Sequence, residues 1–173
     1  MRQCAANLRR PGVFIVLMLL VRIGAQPQQA APRVEQQPAV KSSEGPLFTV
    51  KMSFSDKAKT KLTEKSETVI VAAYFTGSPR KGAPKRFVDN TGQVGLGQAK
   101  REVAPGEDAT FAEFKLQQDA LKQIDEQGPS LLINVYSGRK SSKDNLLDCG
   151  IYEGTLKAVQ GKSIPIACKL IGE

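Results

Sequence analysis

LFTVKMSFS, residues 47–55, sets Phe48, Val50, Met52 and Phe54 against Thr49, Lys51 and Ser53. A period of two with one apolar face is the mark of a half-buried β-strand, because successive side chains leave a pleated strand on opposite sides. The next apolar stretch, TVIVAAYF at 68–75, is unbroken and rich in β-branched and aromatic side chains. It predicts a central strand covered on both faces.

Working outward, turn chemistry separates further strands. Asp89 and Gly92 in DNTG suit a type I turn, and Pro105-Gly106 suits the middle of a type II turn. QVGLGQAKREV (93–103) and ATFAEF (109–114) are then strands. Leu116, Ala120 and Ile124 recur at steps of four before Gly128-Pro129, which predicts one helix and its stop. LLINVYS (131–137) resumes strand, and GTLKAVQGKSIPIACKL (154–170) reads as a hairpin turning near Gly161 with Ile164, Ile166, Cys168 and Leu170 on one face. Pro165 cannot donate to a ladder, so the last segment is expected at an edge or at a strand start. The pattern predicts an all-β fold: an antiparallel β-sandwich of immunoglobulin-like or transthyretin-like shape with one or two short helical connections. A small β-barrel is the alternative.

The N-terminal stretch speaks to compartment. Arg2, Arg9 and Arg10 precede an apolar run from Val13 to Val21, and small residues follow to Ala25. That is the layout of a secretory signal peptide over 1–25. The run is about half the roughly 20 residues a membrane-spanning helix needs, and Arg22 ends it, so membrane association is expected only through an uncleaved signal. Residues 26–45 are Gln-, Pro- and Ala-rich with almost nothing to bury, the composition of a disordered linker. Residues 46–173 then form a single sandwich domain, periplasmic or secreted. Four of the 25 basic residues and none of the 17 acidic ones lie in 1–25, so removing the signal takes the net charge from +8 to +4. So mild an excess does not point to nucleic acid.

Cys4 leaves with the signal, and Cys149 and Cys168 remain, with one intramolecular pairing open to them in an oxidising compartment. Metal binding fails on inventory: the chain has no histidine, and two cysteines do not complete the four-ligand set zinc prefers. A redox pair is typically spaced C-x-x-C. A structural disulfide between Cys149 and Cys168 is therefore expected, stabilising by roughly 3 kcal/mol in the chain-entropy account.

Without histidine, the Ser-His-Asp triad, Cys-His pairs and HExxH helices are ruled out. Two S-x-x-K matches exist, Ser78 to Lys81 and Ser137 to Lys140, but the S-D-N and K-T-G elements that accompany this motif are missing. GLGQAK (95–100) lacks the third glycine and the following helix of a dinucleotide loop. Asp144, Asn145 and Asp148 lack EF-hand spacing and read as a turn leading into Cys149. Glu102, Glu107, Asp108 and Glu113 supply carboxylates near a turn, the raw material of a two-carboxylate glycosidase.

The local feature that rises above this background is GSPRKGAPKRF, residues 77–87. Arg80, Lys81, Lys85 and Arg86 gather in a loop held open by Pro79, Gly82 and Pro84, with Phe87 read as the start of the next strand. Such a cluster suits a phosphate, an anionic glycan or lipid, or an acidic protein. The functional expectation is an exported, non-catalytic domain, without cofactor, that binds an envelope protein or an anionic surface. A small carboxylate-based enzyme acting on glycans and a small-molecule carrier are the alternatives.

Overall fold

The computed structural model describes residues 39–41 and 47–173. The expected signal segment, Cys4 and most of the expected linker lie outside the described residues. Ten strands are named in chain order: β1 (Ala39–Lys41), β2 (Phe48–Phe54), β3 (Val69–Gly77), β4 (Val94–Val103), β5 (Ala109–Phe111), β6 (Glu113–Lys115), β7 (Ser130–Ser137), β8 (Leu147–Cys149), β9 (Tyr152–Thr155) and β10 (Lys162–Leu170). Three helices connect them: α1 (Asp56–Glu64), α2 (Gln118–Leu121) and α3 (Leu156–Val159).

Two four-stranded sheets, ordered β5-β2-β10-β8 and β4-β3-β7-β9, make a β-sandwich, and neither closes into a barrel. Pairing is antiparallel except between β2 and β10, which run parallel from Lys162 opposite Phe48 to Cys168 opposite Phe54. Inward side chains of both sheets form one core: Phe48 and Val50 from β2, Val71 and Phe75 from β3, Ile133 from β7, Ile164 and Ile166 from β10. Stacked rings join Phe48 to Phe111 at 4.7 Å and Phe75 to Phe114 at 4.2 Å, tying β2 to β5 and β3 to β6, each pair distant in sequence. Each ring removes a large apolar area from water, and the offset stacking adds to that burial.

Several expectations are corrected. The helix read from Leu116 to Ile124 shrinks to the single turn of α2, because Leu116 and Ala120 turn into the core while the chain must reach Ser130 to restart a strand. The full-length helix is α1, capped by the Ser55 hydroxyl, which accepts from the Ala58 N–H at 3.1 Å. Its buried residues Ala58 and Leu62 are four apart, one turn of a helix face. The expected hairpin at 154–170 does not form. β9 belongs to one sheet and β10 to the other, and α3 with Gly161 (φ 71°) carries the chain across. Pro165 stands in an inner strand, yet β8 pairs with β10 only over Cys168–Leu170, so at Pro165 β10 has β2 alone as a neighbour. Within the expected linker, Ala39–Lys41 pairs antiparallel with β6, whose outer edge otherwise offers unpaired backbone groups.

Candidate functional site

β3 and β7 are the inner strands of one sheet, with Ile70 opposite Tyr136, Ala72 opposite Asn134 and Tyr74 opposite Leu132. These six residues point away from the core, and none of Ile70, Tyr74, Leu132 or Tyr136 joins the core cluster. The expectation of a β3 strand covered on both faces is therefore corrected: its outward Ile70 and Tyr74 are half-buried, Ala72 between them is buried, and Tyr136 of β7 stands beside them.

Three shallow cavities share lining residues here, two on this face and the third at the edge where β7 meets β8 and the residues after β10. One of about 490 Å³ is lined by Ile70, Tyr74, Asn134, Tyr136, Arg139 and Asn145. A second, of about 420 Å³, shares Tyr74 and extends toward Thr155. A third, of about 340 Å³, shares Asn134 and Asn145 and ends at Ile151 and Ile171. These two isoleucines are 67% and 59% exposed, and they are the large exposed hydrophobics among the described residues.

Arg139 reaches the first cavity because its loop is fixed from behind. After α1 the chain turns through Ser66 (φ 50°), whose N–H bonds Thr63 O while the Glu67 N–H bonds Leu62 O, a Schellman end that drives Glu67 inward. Glu67 as a residue is 2% exposed. It accepts from Thr68 N–H at 3.1 Å, Lys140 N–H at 2.9 Å, Ser141 N–H at 2.9 Å and Ser141 Oγ at 2.7 Å. Burial alone would push its pKa up; the four donors outweigh that and hold it below the usual carboxylate range. Lys140 is engaged further along its side chain, with Nζ 2.9 Å from Glu102, which also accepts from Thr68 Oγ1 at 2.7 Å. Those donors, with the Thr68 hydroxyl first, lower the Glu102 pKa as well. Arg139, between these anchored residues, adopts φ 59°, a left-handed conformation that a non-glycine side chain takes at a cost.

The basic loop is split by the structure. The Arg80 guanidinium donates to Lys122 O at 3.1 Å and to Gln123 Oε1 at 2.8 Å, closing over the end of α2. Lys81, Lys85 and Arg86 remain exposed, and Arg86 lies over the Phe87 ring at 4.8 Å. Phe87 does not begin a strand; it ends a single 3-10 turn at Lys85–Phe87 and packs against the core. Cys149 and Cys168 face each other in register across β8 and β10 and form the disulfide, which ties the short edge strand β8 to its neighbour.

The remaining candidates are committed to structural partners. Ser137 is buried and its hydroxyl bonds Asn145 Oδ1 and the Leu146 N–H, so it does not meet Lys140. Asn145 also accepts from Ser137 N–H and Leu147 N–H, which leaves its side chain holding the turn before β8. Asp148 lies 3.6 Å from Lys169, and Glu107 accepts the Ala104 N–H in the expected turn at Pro105-Gly106. Sequence reasoning missed Arg139 and the outer tyrosines. The signal for the tyrosines was present in TVIVAAYF and LLINVYS, where each strand places Tyr on the face opposite its core residues. Among the described residues no helix is long and apolar enough to cross a membrane. Scans against known protein families, curated proteins and solved structures find no match for this chain.

Proposed function

We propose that the chain is an exported, non-catalytic binding module that docks a protein partner on the outer face of the β4-β3-β7-β9 sheet. The observation that carries the reading is the row of three joined cavities bearing Tyr74 and Tyr136 and ending at the exposed Ile151 and Ile171. Tyrosine and arginine beside apolar anchors are the side chains that dominate contact energy at protein interfaces, since they bury large areas and keep a polar handle. The disulfide fits an oxidising compartment, in keeping with the signal-like leader and a periplasmic or secreted setting.

A photo-crosslinking residue in place of Tyr74, in the full chain expressed in its source cells, is expected to give one discrete adduct with a partner protein. The same residue in place of Lys59, on the exposed side of α1, is expected to give none. Equal or absent labelling from the two positions would sink the docking face.

A further inference from the structure

We propose that the cavity around Arg139 is a carboxylate-reading subsite, filled by an acidic side chain in an extended segment of the partner protein. This rests on the binding-module reading and names the chemistry that reading leaves open. Arg139 is the one charged residue lining the cavity of about 490 Å³. Its guanidinium has no hydrogen bond or ion pair among the described residues, whereas Lys140 beside it is bound to Glu102 and Arg80 in the other loop is bound to Lys122 O and Gln123 Oε1. A planar fork of donors with no internal acceptor, in a recess without a carboxylate in its walls, is complementary to an incoming carboxylate.

Two further observations support the assignment. The loop is built to hold Arg139 in place, since the residues after it are fixed by the buried Glu67 carboxylate. Such a position would ordinarily be given to glycine or asparagine, and strain of this kind concentrates where a side chain has a task. The walls also suit a peptide. Tyr74 and Tyr136 offer ring faces and hydroxyls, Asn134 stands where its amide meets an extended backbone, and the cavity continues by shared walls to the apolar pair Ile151 and Ile171. A segment with an acidic residue followed by apolar ones satisfies both ends.

The test is a titration of the 15N-labelled full chain, followed by amide shifts, with a capped peptide containing Glu between Thr and Ile residues. Its twin with Gln in place of Glu and polygalacturonate at matched carboxylate concentration are run alongside. The Glu peptide is expected to shift the amides of Asn134, Tyr136, Arg139 and Asn145 and to bind about 10-fold more tightly than the Gln twin. Arg139→Asn, which keeps a side chain suited to the left-handed backbone, is expected to lose that about 10-fold preference, and Lys143→Gln to retain it. Equal affinity for the two peptides, shifts confined to Lys81, Lys85 and Arg86, stronger binding of polygalacturonate, or no shift at all would overturn the subsite. A discrete crosslink through the Tyr74 position alongside any of those results would show that the subsite alone has failed and the docking face stands.

Discussion

Ser-Pro-Arg-Lys at 78–81 and Ser-Gly-Arg-Lys at 137–140 leave two neighbouring antiparallel strands at opposite ends of one sheet, and the same four-residue pattern spends its charges in opposite ways. After β3, Arg80 is consumed by Lys122 O and Gln123 Oε1, and the Lys81 ammonium has no partner among the described residues. After β7, Lys140 is consumed by Glu102, and the Arg139 guanidinium has no partner among the described residues. What decides is the acceptor that the fold delivers from elsewhere. A helix end with unsatisfied carbonyls lies beside the first exit, and a carboxylate from β4 lies beside the second. Charge density in sequence therefore does not say which cation each loop commits to an internal acceptor.

The largest effect is expected at the acceptor that builds the second exit. Glu67→Ala removes a buried carboxylate and strands the Lys140 and Ser141 N–H groups, so urea unfolding should show a loss of about 3 kcal/mol. Gln123→Ala, which removes an acceptor at the first exit, should cost about 0.5 kcal/mol, since the backbone oxygen of Lys122 still takes the Arg80 donor. Similar costs at the two positions would dissolve the contrast. The same carboxylate gives a pH signature. Its folded pKa lies below the ordinary glutamate value of about 4.3, so its contribution is complete above that value and is lost as the pH falls through it toward the folded pKa. Glu67→Gln should flatten the acid limb of the stability curve, and an unchanged slope would show that Glu67 does not carry it.

The second position of each pattern comes next. A Cβ at Gly138 would land on Thr68 Oγ1, the hydroxyl that ties Glu102 to this end of β3. Gly138→Ala should cost about 2 kcal/mol as the loop shifts off its anchor. Pro79 forms an isolated bridge with Ile124 and supplies no N–H, so Pro79→Ala should cost less than about 1 kcal/mol, chiefly through the unfolded chain. Thermal unfolding of the two variants under one condition measures the difference, and a larger loss at Pro79 would reverse it.

How far this was legible in the sequence varies with the range of the contacts involved. The alternation of Phe48, Val50, Met52 and Phe54 announced β2, and the Asp89 and Pro105-Gly106 turns formed as expected, because each depends on residues within a few positions. The pairing of Cys149 with Cys168 followed from compartment and inventory. The crossing from β9 to β10 was hidden, since Gly161 marks a change of direction without saying which sheet receives the next strand. Helix α1 was passed over because its apolar face is only Ala58 and Leu62 amid lysines. Arg139 is not separable from Arg80 in sequence: the carboxylate that anchors its loop comes from Glu67, 73 positions before Lys140.

The finest test compares the two arginines themselves. If Arg80 is a structural side chain, Arg80→Ser should lower stability by about 0.5 kcal/mol, the low end for hydrogen bonds to carbonyl oxygens, because the site is exposed. If Arg139 is held in a costly backbone conformation without a partner of its own, Arg139→Asn should raise stability by about 0.5 kcal/mol, because asparagine adopts the left-handed region more readily. The signs, more than the sizes, separate the two roles. A protein that becomes more stable when Arg139 is replaced, and at the same time loses its discrimination for a carboxylate, has kept that arginine against the preference of its own backbone. A loss of stability at both positions would instead make Arg139 one more structural contact, and would remove the strain argument from the subsite while leaving the cavity and its tyrosines in place.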